Sequence, residues 1–377
     1  MKPNAPEKQN LPALLTEQIR HMVEDRYDLG MFAGAQEIHG GTVNTSFHIR
    51  ISGLPQKTEH YFLREYSPAA RETEIRFEHA LLSHLRSSGF DLASVPIPGR
   101  DSTTYFQAPA SSPLLQADNF WALFDFLKGE DKYSWTETDL TDEEISSSAD
   151  ILARLHHHGA DFKKPANSDR AQPPIMRFLP LLKQNFAAFS TKAPKSRSSE
   201  LFKKHAPKIQ SILDAGLDAQ AGYEGLLKIP IHCDYHPGNL KFKNEKGIGL
   251  FDFDWSKIDF RVFDVALALF YFTAQWQGEN AGCLRLTPFR LFLNVYQETC
   301  THLDRVGPMT PRELRALVPM VAYANLYVLN WSIIDFSEKA AADDNEYYTY
   351  IRHGIRVMKW IEDNEMALTE VIREAGL

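Results

Sequence analysis

One stretch constrains this chain more than any other: IHCDYHPGNLKFKNEKGIGLFDFDWS, from Ile231 to Ser256. It sets His232, Asp234, His236, Asn239, Asp252 and Asp254 among apolar residues. Polar groups in such company need partners or a chemical purpose, because burying them unpaired is costly. Pro237 and Gly238 make the first part a loop, and two strand-like pieces, NLKFKN and GIGLFDF, follow around a turn expected at Glu245–Gly247.

Three chemistries fit parts of this stretch. His232, Asp234 and His236 alternate, so on a strand they would face one way, as a metal site wants. The Pro-Gly pair that follows argues for a loop instead. A phosphatase reading makes Asp252 a nucleophile at the end of an apolar strand, but it leaves His232 to Asn239 without a role. Moreover, the acidic pair Asp343 and Asp344 lacks the preceding strand that such an enzyme wants. Phosphoryl transfer uses the whole stretch. It needs a carboxylate beside the acceptor hydroxyl and oxygen ligands that hold magnesium against the phosphates of ATP. The spacing His-x-Asp-x-x-x-x-Asn, then a hairpin, then an apolar strand ending in Asp, supplies these as Asp234 (base or hydroxyl positioner), Asn239 and Asp252 (Mg2+ ligands).

The flanking chain shows what carries this loop. The helix LLTEQIRHMVEDRY is followed by alternating strand-like runs, QEIHGGTVNTSFHIRIS, HYFLREYS, TTYFQA and FWALFDFL, with the helix RETEIRFEHALLSHLRSSGF between them. After Gly129 the texture is helical, beginning with LTDEEISSSADILARLHHHG, whose Thr141 and Glu144 form a capping-box pattern. Thr310, Pro311 and Glu313 open another helix by the same logic. The expected fold is α+β, with a small β-rich N-terminal lobe over 1–126 and a larger, mostly helical C-terminal lobe over 127–377, the first eleven or so residues being mobile. Ligands favour the cleft between such lobes.

At this point the sequence resembles the aminoglycoside phosphotransferase and choline kinase superfamily, protein-kinase-like enzymes of small molecules, and within it homoserine kinase type II-like proteins. The likeness rests on IHCDYHPGNLKF, LFDFDWS and RVFDVALAL, and extends from about Gly40 to the C-terminal helices. It implies a protein-kinase-like fold and further site residues. GGTVNTSF resembles the nucleotide-covering loop, with Gly40 and Gly41 allowing a tight turn and Asn44 and Thr45 meeting phosphate. Arg64 stands where many members have a phosphate-binding lysine, and Glu78 would pair with it. The backbone of Asp125, Phe126 and Leu127 would meet the adenine edge. His232 and His236 would support the loop, Asp264 would brace it as a helix cap, and Asp254 would contact substrate or stand behind it. HHH at His156–His158 reads as a helix end with one histidine packed, since adjacent helical positions diverge.

Cys233, in place of the usual glycine, and Arg64 depart from the pattern and leave a nucleotide-binding pseudokinase open, against which the intact Asp234, Asn239 and Asp252 argue. Asp254, Trp255, Asp259, Trp331, Asp335 and Tyr347 would suit a cationic acceptor, pointing to homoserine, choline or another amino alcohol, with an aminoglycoside or sugar as the alternative. A net charge of -8 without a basic run speaks against nucleic acid. Three scattered cysteines speak against a disulfide framework. The N-terminus lacks a signal-peptide pattern, and Leu317–Phe336, apolar but interrupted by Pro319, Asn325, Asn330 and Asp335, reads as a buried helix, so a cytoplasmic location without membrane contact is expected.

Overall fold

Alternation of side chains builds the first unit. In the computed structural model, which describes residues 11–38, 43–53, 58–112, 118–338 and 343–375, helix α1 (Ala13–Arg26) precedes strands β1 (Met31–Ile38), β2 (Thr45–Ser52) and β3 (Thr58–Glu65). Helix α2 (Glu72–Ser87), β4 (Phe106–Pro109) and β5 (Asp118–Asp125) follow. The strands form one antiparallel sheet in the order β1-β2-β3-β5-β4. Period two sends Phe47, Ile49, Ile51, Leu63, Trp121 and Leu123 to one face, where Ile19 and Val23 of α1 close the core. Each such side chain, once buried, contributes about 1.5–3 kcal/mol. The opposite face carries His48, Phe62 and Phe124, paired across β2, β3 and β5.

Contacts group residues 1–87, 91–128 and 164–170 into this unit, and 88–90, 129–163 and 171–377 into a second. The second unit is helical, with α3 (Asp142–Gly159), α4 (Ile175–Lys192) and α5 (Arg197–Asp218) leading to the site segment. That segment runs through β6 (Lys228–Ile231), β7 (Leu240–Lys243), β8 (Lys246–Leu250) and β9 (Lys257–Phe260). Then come α6 (Arg261–Thr273), α7 (Leu286–Thr301), α8 (Pro311–Glu338), α9 (Asp344–Asp363) and α10 (Glu365–Ala375).

The capping box of α3 is present: Thr141 accepts from the Glu144 amide at 3.3 Å, and Glu144 accepts from the Thr141 amide at 3.0 Å. Thr310 and Glu313 reproduce it at the start of α8. α6 is buried along its whole length, which explains why its sequence lacks amphipathic period. α8 is long and apolar enough to cross a membrane, but 72% of its most apolar window is buried inside the protein. Its composition therefore reflects an interior helix.

β6 pairs with β9 and β7 with β8, each antiparallel. The hairpin turns one residue earlier than the sequence suggests. Asn244 and Glu245 take positive φ (51° and 60°) between Lys243 and its partner Lys246, as a two-residue turn requires. Gly247 serves close packing instead: a Cβ there would stand 2.6 Å from Ile151 Cδ1 of α3.

Candidate active site

The loop between β6 and β7 is held by a buried carboxylate. Asp264 of α6 accepts the His232 amide at 2.9 Å and the Cys233 amide at 2.8 Å. His156 Nε2 meets the same carboxylate at 3.0 Å, and His156 Nδ1 meets the Tyr296 hydroxyl at 2.7 Å. Burial raises the Asp264 carboxyl, but the His156 bond and charge outweigh it, with a net fall below the ordinary carboxylate value. Asp264 thus braces the loop from inside the first turn of α6 and is not its cap; the cap position is Phe260. The three histidines of α3 go to three places: His157 faces Asp304 at 3.6 Å, and His158 meets the Ser88 carbonyl at 2.7 Å.

Besides the hairpin turn at Asn244 and Glu245, two non-glycine residues in the left-handed region bend the segment, Cys233 (φ 63°) and Asp252 (φ 67°, ψ 61°). Such strain persists where surrounding bonds over-determine it, and it concentrates at functional sites. Cys233 fits because its buried Sγ donates to the Tyr327 hydroxyl at 3.6 Å. Burial pushes its thiol up to about 11, so it stays protonated and is no nucleophile.

Asp234 lies between these bends. Asn239 Nδ2 donates to the Asp234 carbonyl at 2.9 Å and to its Oδ2 at 3.2 Å. The Tyr271 hydroxyl of α6 donates to Oδ1 at 3.3 Å. His236 Nδ1 accepts the Gly238 amide at 3.0 Å, which leaves its Nε2–H facing Asp234 Oδ2 at 3.6 Å. Burial raises the Asp234 carboxyl, but the charge and hydrogen bond of His236, the charge of His232 and the bond from Asn239 bring it below its ordinary value. It is therefore a carboxylate at neutral pH.

The hairpin joins the other two oxygen-bearing groups. Phe251 donates its amide to the Asn239 carbonyl at 3.1 Å, and Leu240 pairs with Leu250, so Asn239 and Asp252 sit at one end of β7 and β8. His232 Nε2 bonds the Phe251 carbonyl at 3.0 Å, tying the loop to the residue before Asp252. Asn239 spends its amide nitrogen on Asp234, which leaves the oxygen end for a cation. One amide and one carboxylate fit magnesium, which takes few protein oxygens and keeps the rest for phosphate and water. Among the described residues no group of three or more His, Cys, Asp or Glu forms a metal cluster, which removes direct ligation by His232, Asp234 and His236.

Within the first unit, Arg64 Nη1 pairs with Glu78 Oε1 at 3.0 Å, both side chains being buried. Tyr66 donates to Glu78 Oε2 at 3.1 Å, and His79 Nε2 lies 2.9 Å from the Tyr66 hydroxyl. Burial and the Arg64 charge push His79 down to about 3, so this neighbour stays neutral beside the pair. Asn44 Oδ1 accepts the Ser67 amide at 3.0 Å, and Thr45 opens β2 opposite Glu65. Gly40 and Gly41 lie outside the described residues. Asp125 bonds Val95 and Ser94 through both backbone groups and Arg86 through its carboxylate. In the Asp125–Leu127 segment, Phe126 packs on His48, ring centroids 4.7 Å apart.

Of the residues expected around a cationic acceptor, Trp255 and Trp331 meet at 4.6 Å, and Tyr347 bonds Asp335 at 3.4 Å. Asp259 does not belong there: it is fully buried and accepts the amides of Ile175 and Phe260 at 2.6 and 2.8 Å. Tyr271 was not singled out in the sequence, because its bond to Asp234 crosses 37 positions and no motif marks it.

A carboxylate held by an amide, with Asp252 following the strand paired to the one that the amide opens, is the chain arrangement of a phosphotransferase acting on a hydroxyl. The chain belongs to the phosphotransferase enzyme family, whose model matches residues 34–285. It is 24% identical over 316 residues to a homoserine kinase of Bradyrhizobium sp. (strain ORS 278), covering 82% of each chain. Among solved structures it is similar to a microcompartment-associated aminopropanol kinase, with a TM-score of 0.65 and 16% identity, covering 93% of this chain and 98% of the other. A spectinomycin phosphotransferase in complex with ADP and spectinomycin gives 0.59 and 13%, covering 92% and 98%. The fold is thus α+β and protein-kinase-like, with a small antiparallel sheet unit and a larger helical one.

Proposed function

We propose that this protein is a cytoplasmic kinase of a small amino alcohol, homoserine being the first candidate, and that it moves the γ-phosphoryl group of magnesium-bound ATP to the acceptor hydroxyl. The observation that carries the reading is the Asn239–Asp234 bond, with Asp252 delivered to Asn239 by the β7–β8 pair. Asp234, ionised at neutral pH, takes the hydroxyl proton or orients the hydroxyl for attack. Asn239 and Asp252 would hold magnesium, which supplies neutralisation of phosphate charge. Arg64, fixed by Glu78, would bind phosphate, with Asn44 and Thr45 at the start of β2. Base recognition falls to the backbone of Phe126 and Leu127, since Asp125 is engaged within its own unit.

The homoserine kinase and aminopropanol kinase likenesses support an amino-alcohol acceptor, as do the paired Trp255 and Trp331 rings near the end of β8. The test is ADP release with magnesium and ATP across homoserine, choline, ethanolamine, aminopropanol and aminoglycosides. Acceptor-dependent release with an amino alcohol is expected. ATP binding without product from any acceptor would return the pseudokinase reading.

A further inference from the structure

Tyrosines around the loop between β6 and β7 send their hydroxyls to different places. Tyr235, on the loop itself, donates to the Ser148 carbonyl of α3 at 2.6 Å and stacks its ring on Phe272. Tyr327 of α8 donates to Gln172 Oε1 at 2.9 Å and meets Cys233 Sγ at 3.6 Å. These two anchor the loop. Tyr271 of α6 reaches the reacting group instead, donating to Asp234 Oδ1 at 3.3 Å.

Tyr271 is 5% exposed and sits in an apolar run of α6, between Phe270 and Phe272. Its ring meets the edge of His236 at 5.2 Å between centroids and Phe270 at 5.5 Å. A phenylalanine would fill that space as its two neighbours do. The hydroxyl is the addition, and a buried hydroxyl is costly unless it is bonded. Burial and the Asp234 charge push it well above its ordinary value, so it stays a donor and does not itself take the acceptor proton.

The two oxygens of Asp234 therefore differ. Oδ2 accepts Asn239 Nδ2 at 3.2 Å and faces His236 Nε2 at 3.6 Å. Oδ1 carries the Tyr271 bond. An ionised carboxylate offers about four acceptor sites, so Oδ1 keeps room for a hydroxyl. The Asp234 side chain is 22% exposed, which lets substrate reach it. A bond on each oxygen fixes the plane of the carboxylate. With Oδ2 held alone, the group can turn about its Cβ–Cγ bond.

We propose that Tyr271 is a positioning residue of the transfer: its hydroxyl locks the Asp234 carboxylate so that Oδ1 meets the acceptor hydroxyl. The inference rests on Asp234 being the group that acts on that hydroxyl. Productive attack needs alignment, and a misplacement of about 1 Å can cost on the order of 100-fold. Loss of the Tyr271 hydroxyl costs alignment of Asp234 and leaves the groups that bind ATP in place.

Tyr271→Phe removes one oxygen and keeps the ring. Rates are measured with magnesium, ATP and the best acceptor among homoserine, choline, ethanolamine and aminopropanol. kcat should fall about tenfold or more, with both KM values within about twofold of wild type. Tyr235→Phe makes the same deletion at a loop anchor and should lower Tm with a smaller loss of kcat. Added to Asp234→Ala and read in single turnovers, Tyr271→Phe should cost nothing further, because a residue acting through Asp234 has nothing left to hold. Three results each make the hydroxyl an ordinary core bond and overturn the positioning role while the kinase reading stands. These are a kcat for Tyr271→Phe within about twofold of wild type, an equal kcat loss in Tyr235→Phe, and an undiminished loss in the Asp234→Ala background. Absence of product from every acceptor in wild type overturns both.

Discussion

Asn239 donates one amide nitrogen to two atoms of Asp234, its carbonyl and its Oδ2, at 2.9 and 3.2 Å. That fork fixes which end of the Asn239 amide faces outward and which oxygen of Asp234 is already occupied. Asn239→Ala removes the fork and, with it, the magnesium ligand proposed above. Turnover should fall about 100-fold or more, and more free magnesium should be needed for half-maximal rate; steady-state assays across a magnesium series check both.

Asp264 satisfies two backbone amides and His156 with one buried carboxylate. Asp264→Ala leaves those amides unpaired, at about 1–3 kcal/mol each. Denaturant unfolding should show a loss of several kcal/mol, and activity should fall with the loop's order. An unchanged midpoint would mean that water replaces the carboxylate without cost.

Two carboxyls displaced in opposite directions predict separate pH effects. Asp234 lies below the ordinary 3.8, so it stays ionised as pH falls toward 4, and any activity limb between pH 5 and 7 belongs to another group. Asp259 is raised from 3.8 to about 6, chiefly by burial. A raised carboxyl favours the protonated fold: its contribution is complete below about 3.8 and is lost as pH rises through about 6. A displacement of about two units corresponds to about 3 kcal/mol at most. Asp259→Asn should flatten the fall in Tm between pH 4.5 and 7, and scans of both proteins across that window test it.

Arg64 and Glu78 form a buried ion pair, which loss of either side chain would break. Glu78→Ala should destabilise by about 3–5 kcal/mol and raise the KM for nucleotide more than the KM for acceptor. Thermal unfolding and two substrate titrations separate these effects.

What the sequence made legible was local. Asp234, Asn239 and Asp252 occupy one loop and one hairpin, so spacing alone could place them together. The capping boxes at Thr141 and Thr310 were legible for the same reason. Contacts that cross the chain were not. His156 reaches Asp264 over 108 positions, and Tyr271 reaches Asp234 from a helix whose every residue is buried. Asp259 looked available for an acceptor because alternation on a short strand does not reveal that its oxygens cap the start of α4. Gly247 looked like the turn because glycine is the usual turn residue, whereas Asn244 tolerates positive φ and Gly247 is needed for α3 to approach.

The central claim is that Asp234 acts on the acceptor hydroxyl while other groups hold the nucleotide. Its most direct test compares wild type with Asp234→Ala, measuring acceptor-dependent ADP release and thermal stabilisation by magnesium and ATP on the same preparations. The account predicts turnover reduced at least about 1000-fold with stabilisation by nucleotide preserved. Turnover within a few fold of wild type in a well-folded Asp234→Ala protein would contradict it.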